Sequence, residues 1–242
     1  MISPEQKEAY FRYLTERLDN SRSKNMVIPT SIDLIFLKAQ EAERVRVLDI
    51  GCFSGAMLNK IRNEVPGGIR KRVEFVGIDA DQDVLMLGRE KYEGLRLVSG
   101  DLNEDLIDLG KFDIVIVSNV LHEMASNEVN ADYQEIILSM FAKIRNLMNE
   151  NGRLVILDGV RPENDLQRIK LGFVSPQMRD IYLFFAKEYD AFPVEVIDLG
   201  DGSIQTRIRD LAAFLTKARY LQEKYWPVES TQVYQFFTTD QF

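Results

Sequence analysis

The sequence holds very few residues of the kinds that bind transition metals or form disulfide bonds. Cys52 is the single cysteine and His122 the single histidine among 242 residues. One cysteine cannot form an internal disulfide bond, and this set is too small for a typical transition-metal site, so we expect no metal requirement. No apolar run approaches the roughly 18 residues that a membrane-spanning helix needs, and the first residues are too polar for an export signal. These absences predict a soluble cytoplasmic protein with no membrane partner.

Positive charge is also scarce. The chain has 30 basic and 38 acidic residues, which gives a net charge of -8 at pH 7. Tight sequence-independent binding to nucleic acid requires a basic surface, so a nucleic-acid partner is not favoured, although a local basic patch could supply one. The length suits one large domain, or a core domain with an added subdomain.

Strands alternate with helices from Arg44 to Val160. Before them, apolar residues at helical spacing predict helices at Pro4–Asp19 and Ser31–Glu43. Five β-branched segments then read as strands: RVRVLDIG, RVEFVGID, LRLVSGD, FDIVIVSN and RLVILDGV. Strands that alternate with helices need crossover connections, so we predict an α/β fold, Rossmann-like and doubly wound, with a mostly parallel sheet flanked by helices.

The alternation ends after Arg161. We expect a helix near Pro176–Tyr189, a hairpin at Val194–Ile208 that turns at Asp201-Gly202, and a helix at about Asp210–Tyr225. These elements predict an α+β accessory region at the C-terminus. The chain is therefore divided into N-terminal helices (1–43), a core (44–160) and an accessory region (161–242).

A glycine-containing loop follows the first strand, in the stretch VLDIGCFSGAML. Ligands of open parallel sheets bind beyond the carboxyl ends of the strands, where this loop would lie. Gly51 allows a tight turn, and Asp79, which ends the second strand, is placed to accept hydrogen bonds from both hydroxyls of a ribose. Asp101 and Asn119 follow the next two strands. The alternative is that the glycines only turn the chain and each aspartate caps a helix, but four successive polar strand ends favour a nucleoside cofactor.

The charge of the loop indicates which nucleoside is bound. A dinucleotide site usually has a further glycine where Phe53 stands, and Asp49 places negative charge where a diphosphate would come. Such a loop suits a cationic or zwitterionic ligand. S-adenosylmethionine carries a sulfonium and an ammonium group and no phosphate.

Five segments resemble the successive motifs of the class I S-adenosylmethionine-dependent methyltransferases, over about Arg44 to Val160. They are VLDIGCFSG, FVGIDAD, SGDLNED, FDIVIVSNVLHEM and NLMNENGRLVILDG. The resemblance implies S-adenosylmethionine as cofactor and S-adenosylhomocysteine as product. It places Asp49, Gly51 and Gly55 around the methionine part of the cofactor, with Cys52 and Ala80 as further contacts. It places Asp79 at the ribose, Asp101 with Leu102 at the adenine, and the backbone of Asn119 at the ammonium group.

Methyl transfer is an in-line displacement that depends mainly on positioning, and a general base is needed chiefly for a hydroxyl or a protonated amine. His122, beside Glu123, is the natural candidate, since its unperturbed pKa suits the role. The alternative is that both residues simply open the next helix or close the site over the cofactor. Asp158, which ends the fifth strand, lies at the same sheet edge, and for it we favour a structural use.

The acceptor is the least determined part of the function. We expect an O, N or C atom of a small molecule, because the chain is acidic and the accessory region is rich in aromatic residues. The same aromatic residues, Tyr182 and Tyr220 among them, are alternatively core residues. A protein or structured-RNA acceptor, a non-catalytic cofactor-binding subunit and a nucleotide-dependent oxidoreductase are the remaining alternatives.

The resemblance also bears on the hairpin Val194–Ile208. In the family the sheet normally ends with two further strands, the last antiparallel to the rest. We expect the hairpin to provide this pair, and the competing view makes it part of an insertion after strand five.

Overall fold

The protein is described here by a computed structural model, which covers residues 12, 24–102, 109–126, 133–223, 226–234 and 238. The chain forms two compact units. The first comprises Met1–Val120 and Ile137–Leu157, and the second comprises Leu121–Ile136 and Asp158–Phe242. The predicted helix Pro4–Asp19 lies outside the described residues, apart from residue 12.

The elements in chain order follow the predicted alternation closely. The strands are β1 (Val45–Ile50), β2 (Val73–Asp79), β3 (Arg96–Ser99), β4 (Phe112–Ser118), β5 (Met148–Leu157), β6 (Arg168–Leu171), β7 (Ile197–Asp198) and β8 (Ile204–Arg207). The helices are α1 (Lys24–Glu41), α2 (Ala56–Glu64), α3 (Gly67–Arg70), α4 (Gln82–Lys91), α5 (Leu121–Ser126), α6 (Tyr133–Asn146), α7 (Pro176–Glu188), α8 (Ile208–Lys217), the 3-10 turn Ala218–Tyr220, and α9 (Trp226–Glu229).

The first unit contains a parallel five-stranded sheet in the order β3-β2-β1-β4-β5. The strand order reverses between β1 and β4, and this is the switch point beside which ligands bind in such sheets. Strand β4, which lies between β1 and β5, is buried along most of its length, which explains its nearly continuous apolar sequence. The predicted Rossmann-like sheet is confirmed.

The helix α1 packs on this sheet and begins earlier than predicted. It starts at Lys24 rather than Ser31 and includes Pro29. Val27 and Ile28 are buried in the core of the first unit, so their burial holds the early turns in helical form despite the hydrogen bond that a proline removes. Burial of each such side chain contributes roughly 1.5–3 kcal/mol, which is comparable to the cost of an interior proline of ~3 kcal/mol.

The second unit contains a separate antiparallel sheet in the order β6-β8-β7. The hairpin is confirmed, but its loop spans residues 200–202, because the N–H of Leu199 donates to the carbonyl of Ser203 at 3.1 Å. The expectation that this hairpin completes the main sheet is wrong for the described residues. One edge of β8 pairs with β6 and the other with β7, so both of its hydrogen-bonding edges are used within this small sheet.

Aromatic residues of α7 and α8 form the core of the second unit. Tyr182 and Phe185 are completely buried, and Phe214 packs against both rings. The alternative reading of these aromatics as core is therefore confirmed for Tyr182 and Phe185, whereas Phe184 is exposed. Tyr220 is also buried. No helix in the described parts of the chain combines the length and the apolar character that crossing a membrane requires.

Candidate functional site

The loop after β1 makes a sharp turn that depends on left-handed backbone. Gly51, Phe53 and Gly55 have φ values of 66°, 53° and 79°. The N–H of Cys52 donates to the carbonyl of Ile78 at 2.9 Å, which ties the loop to the neighbouring strand. Left-handed backbone is uncommon for a phenylalanine, and strained residues of this kind concentrate at ligand sites. The residue that breaks the glycine pattern therefore still adopts a backbone conformation typical of glycine.

Asp79 stabilises this strained loop. Its Oδ2 atom accepts a hydrogen bond of 2.7 Å from the backbone N–H of Phe53, and its Oδ1 atom accepts one of 3.0 Å from the N–H of Asp81. Burial raises the pKa of this carboxyl, and its backbone hydrogen bonds oppose the rise. Each carboxylate oxygen can accept more than one hydrogen bond, so Asp79 retains acceptor capacity for ribose hydroxyls.

Gly51 is required by a neighbouring side chain. A Cβ atom built on Gly51 would lie 2.3 Å from Cγ2 of Val120, which is too close for any real contact. The missing side chain therefore makes room for Val120, two residues beyond the end of β4. This packing is a second reason for the glycine, beside the close approach of a ligand that the sequence suggested.

Cys52 contributes backbone rather than thiol chemistry. Its side chain is buried against Leu85 and Leu97. Burial raises the pKa of the thiol well above its ordinary value, and the charges of Asp49 and Asp79 raise it further. A thiol that stays protonated is a poor nucleophile, so the side chain has a packing role.

The other predicted cofactor residues lie at or just beyond the carboxyl ends of the strands. Asp49 is buried in β1, with Gly77 and Ile116 as its neighbours across the sheet. Beyond β2 and β3, Ala80 is exposed, Asp101 half-buried and Leu102 buried. Asn119 directly follows β4, and its φ of 54° makes it a second strained residue at this edge. Its N–H donates to the carbonyl of Leu157 at 2.7 Å, which joins the ends of β4 and β5.

These residues fit S-adenosylmethionine better than a dinucleotide. The loop from Gly51 to Gly55 contains no lysine or arginine that would neutralise a diphosphate. Asp49 and Asp79 instead supply negative charge beside it, which suits a sulfonium and an ammonium group. The described residues contain no group of three or more His, Cys, Asp and Glu side chains arranged to hold a metal ion. The expectation that no metal is required stays a prediction.

His122 and Asp158 form a buried pair in the second unit. The Nδ1 atom of His122 lies 2.7 Å from Oδ1 of Asp158, and the two side chains are 3% and 4% exposed. Asp158 is held in turn by the N–H of Gly159, which donates to Oδ1 at 2.8 Å, and by the N–H of His122, 3.4 Å from Oδ2. When Nδ1–H donates a hydrogen bond to the carboxylate, the lone pair of the neutral imidazole is on Nε2, as a general base requires.

Glu123 takes less part in this arrangement. Its side chain is 54% exposed, and Oε1 lies 3.9 Å from Nε2 of His122, beyond hydrogen-bond length. Both residues lie in the first turn of α5, as the structural alternative expected. The sequence suggested Glu123 because it is adjacent in the chain, whereas the structure pairs His122 with the more distant Asp158.

Comparison with known proteins shows which protein family the core of the chain resembles. Residues 48–154 match the family model described as a methyltransferase domain. This segment is therefore similar to methyltransferase domains. This match supports the resemblance seen in the sequence, and the parallel sheet is Rossmann-like, as predicted.

Two curated relatives match about two thirds of this chain. Squalestatin tetraketide synthase of Phoma sp. (strain C2932) is 23% identical over 176 residues, which cover 68% of this chain and 6% of that protein. Putative methyltransferase 235L of Invertebrate iridescent virus 6 is 27% identical over 151 residues, which cover 62% of this chain and 51% of that protein. The chain thus spans about half, or much less, of the length of these relatives.

Solved structures of methyltransferases are also similar to this chain. The DszA carbon methyltransferase has a TM-score of 0.48 at 20% identity, and the match covers 61% of this chain and 39% of that one. A TehB-like SAM-dependent methyltransferase from Corynebacterium glutamicum ATCC 13032 has a TM-score of 0.43 at 16% identity, and the match covers 84% of this chain and 97% of that one.

Proposed function

We propose that the protein transfers the methyl group of S-adenosylmethionine to a small-molecule acceptor that must lose a proton, and that His122 removes this proton. The observation that carries the proposal is the buried pair of His122 and Asp158. A base of this kind is unnecessary for an acceptor with a free lone pair, such as a thioether or a neutral amine. It is needed for a hydroxyl, a protonated amine or a carbon acid.

In this proposal the chain's own residues carry out the proton transfer. The Nε2 atom of His122 accepts the proton of the acceptor as the acceptor atom forms its bond to the methyl carbon. Asp158 holds the Nδ1 proton throughout and stabilises the imidazolium that results. Bound S-adenosylmethionine supplies an activated methyl group, and S-adenosylhomocysteine is the other product. The main source of rate enhancement is orientation of the two reactants.

The proposal assigns the cofactor to residues 44–160. Asp79 binds the ribose, Asp101 and Leu102 contact the adenine, and Asp49 with the loop Gly51–Gly55 surrounds the methionine part. The backbone of Asn119 contacts the ammonium group. Residues 161–242 bind the acceptor in this scheme, and residues 1–43 pack on the core. A cytoplasmic location, expected from the sequence, is part of the same proposal.

The experiment that tests this function offers labelled cofactor to separate acceptor pools. The purified chain is incubated with S-adenosylmethionine that carries a tritiated methyl group, and with small-molecule, protein or structured-RNA fractions of a cell extract. The similarity to a protein named as a tetraketide synthase is the reason to include carbonyl compounds among pure candidates. We expect label in the small-molecule fraction. Label in protein or RNA alone would contradict the proposed acceptor class.

Calorimetry distinguishes the remaining alternatives. A nucleotide-dependent oxidoreductase would bind NAD and not S-adenosylhomocysteine. A non-catalytic subunit would bind S-adenosylhomocysteine but leave every acceptor pool unlabelled. The proposed enzyme binds S-adenosylhomocysteine, does not bind NAD, and labels one pool.

A further inference from the structure

Tyr234 contacts His122, the candidate base, although the two residues are far apart in the sequence. Its ring lies edge-to-face with the imidazole of His122, with ring centroids 3.9 Å apart and planes at 80°. We propose that Tyr234 is a positioning residue, which holds the imidazole so that Nδ1 faces Asp158 and Nε2 faces the acceptor. The inference deepens the proposed function and rests on it for the role of His122 as base.

The ring of Tyr234 is itself fixed by a buried ion pair. Its hydroxyl donates to Oε2 of Glu229 at 2.9 Å, and Nζ of Lys217 lies 2.7 Å from the same oxygen. Lys217 is 1% exposed, and its Nζ lies 3.5 Å from the centroid of the Tyr234 ring. Buried ion pairs add little stability compared with apolar residues, but they require a defined geometry. Here the geometry fixes the ring that contacts His122.

The backbone of Tyr234 also approaches the other member of the pair. A Cβ atom built on Gly159 would lie 2.0 Å from the carbonyl oxygen of Tyr234. Gly159 directly follows Asp158, and its N–H donates to the Asp158 carboxylate at 2.8 Å. Tyr234 therefore places its ring on His122 and its backbone on the residue that orients Asp158.

Other hydrogen bonds hold the segment from Trp226 to Tyr234 without involving the pair. The carbonyl of Ser230 accepts from the N–H groups of Asp190 and Ala191 at 3.1 and 2.9 Å. The hydroxyl of Tyr189 donates to the carbonyl of Gln232 at 2.9 Å. These contacts provide a matched control, because their loss loosens the segment but removes no contact with His122.

Orientation matters because a neutral imidazole has two tautomers. Nε2 acts as a base only if the ring proton is on Nδ1, and the Nδ1 hydrogen bond selects that tautomer. The χ2 torsion of histidine is broad and roughly two-fold, so the orientation of the imidazole depends on the groups that contact it. An aromatic ring packed against the imidazole restricts this motion.

The test uses the fact that His122 is the one histidine of the sequence. Untagged protein with ¹⁵N-labelled histidine gives a single pair of ring nitrogen signals, which report the tautomer of the neutral imidazole. We expect the Nδ1–H tautomer in the wild type and in Tyr189→Phe. We expect a mixture of tautomers and faster Nδ1–H exchange in Tyr234→Leu, at unchanged affinity for S-adenosylhomocysteine. A wild-type histidine spectrum in folded Tyr234→Leu would overturn the inference.

Two further variants serve if Tyr234→Leu does not fold. Tyr234→Phe keeps the ring but loses the bond to Glu229, so we expect a smaller change of the same kind. Gly159→Ala keeps the Tyr234 side chain but displaces the backbone of Tyr234, so we expect a mixture of His122 tautomers. Unchanged spectra in both Tyr234→Phe and Gly159→Ala would overturn the inference. The spectra do not depend on turnover, so they decide the role of Tyr234 separately from whether His122 is the base.

Discussion

The backbone N–H of Phe53 donates a 2.7 Å hydrogen bond to Oδ2 of Asp79, which joins the strained loop after the first strand to the end of the second. The carboxylate proposed to bind the ribose therefore also shapes the loop proposed to surround the methionine part. Substitutions of Asp79 must separate these two effects.

Asp79→Ala should weaken S-adenosylhomocysteine binding at least tenfold, or by about 1.4 kcal/mol, because it removes both the ribose acceptor and the loop contact. Asp79→Asn should cost less, since its amide oxygen can still accept from Phe53. Asp83→Asn, which neutralises an exposed carboxylate on the next helix, is the control. Calorimetry gives the three affinities, and equal binding by wild type and Asp79→Ala would exclude Asp79 from the site.

Cofactor affinity should also depend on pH through Asp79. Burial raises the pKa of this carboxyl, and ribose hydroxyls bind its ionised form, so affinity should decline as the pH falls through the raised pKa. The contribution of Asp79 to folding should have the opposite sign. Its ionised form is disfavoured in the folded state, so this contribution increases as the pH falls from the raised pKa toward the ordinary value. Asp79→Asn should remove both dependences, and a wild-type pH profile of binding in that variant would contradict the assignment.

Gly51→Ala should lower the free energy of unfolding by more than the roughly 1–2 kcal/mol of left-handed strain, because its Cβ would also meet Val120. Adding Val120→Ala should relieve the contact but leave the strain. Gly68→Ala is the control, since a Cβ there meets nothing within 4 Å. Urea unfolding measures the wild type, the single variants Gly51→Ala, Val120→Ala and Gly68→Ala, and the double variant. If the loss of stability in the double variant equalled the sum of the losses in Gly51→Ala and Val120→Ala, the contact between position 51 and Val120 would have no role.

Tyr182→Phe should destabilise the second unit by about 1–3 kcal/mol, because it leaves the buried hydroxyl of Thr206 without its 2.7 Å partner. Combining it with Thr206→Val should recover most of this loss, since both polar groups are then replaced. The measurement is again urea unfolding. Additive losses in the double variant would show that the two hydroxyls do not interact.

The sequence predicted the fold best where a local apolar pattern coincides with burial in the structure. The β-branched runs from Val45 to Leu157 predicted all five parallel strands, because strands covered on both faces need nearly continuous apolar residues. The four-residue strand β6 was missed, since Arg168–Leu171 alternates too briefly to give a pattern. Without β6, the hairpin was assigned to the wrong sheet.

The same distinction applies to the candidate site: residues at the ends of strands could be predicted, whereas contacts between distant segments could not. Asp79 and Asn119 could be proposed from the sequence because each lies at the end of a strand, at the edge where ligands of such sheets bind. The partner of His122 was harder to identify, since adjacency in the chain suggested Glu123. Tyr234, Lys217 and Glu229 carried no signal, because contacts between distant segments follow no sequence period.

The central claim is that His122, oriented by Asp158, removes a proton during methyl transfer. The most direct test is the turnover of His122→Ala with the acceptor found by labelling, at saturating S-adenosylmethionine. Loss of a general base typically costs on the order of 10²–10⁴-fold, so we predict at least a hundredfold fall in kcat with unchanged affinity for S-adenosylhomocysteine. Turnover at the wild-type rate in folded His122→Ala would contradict the account.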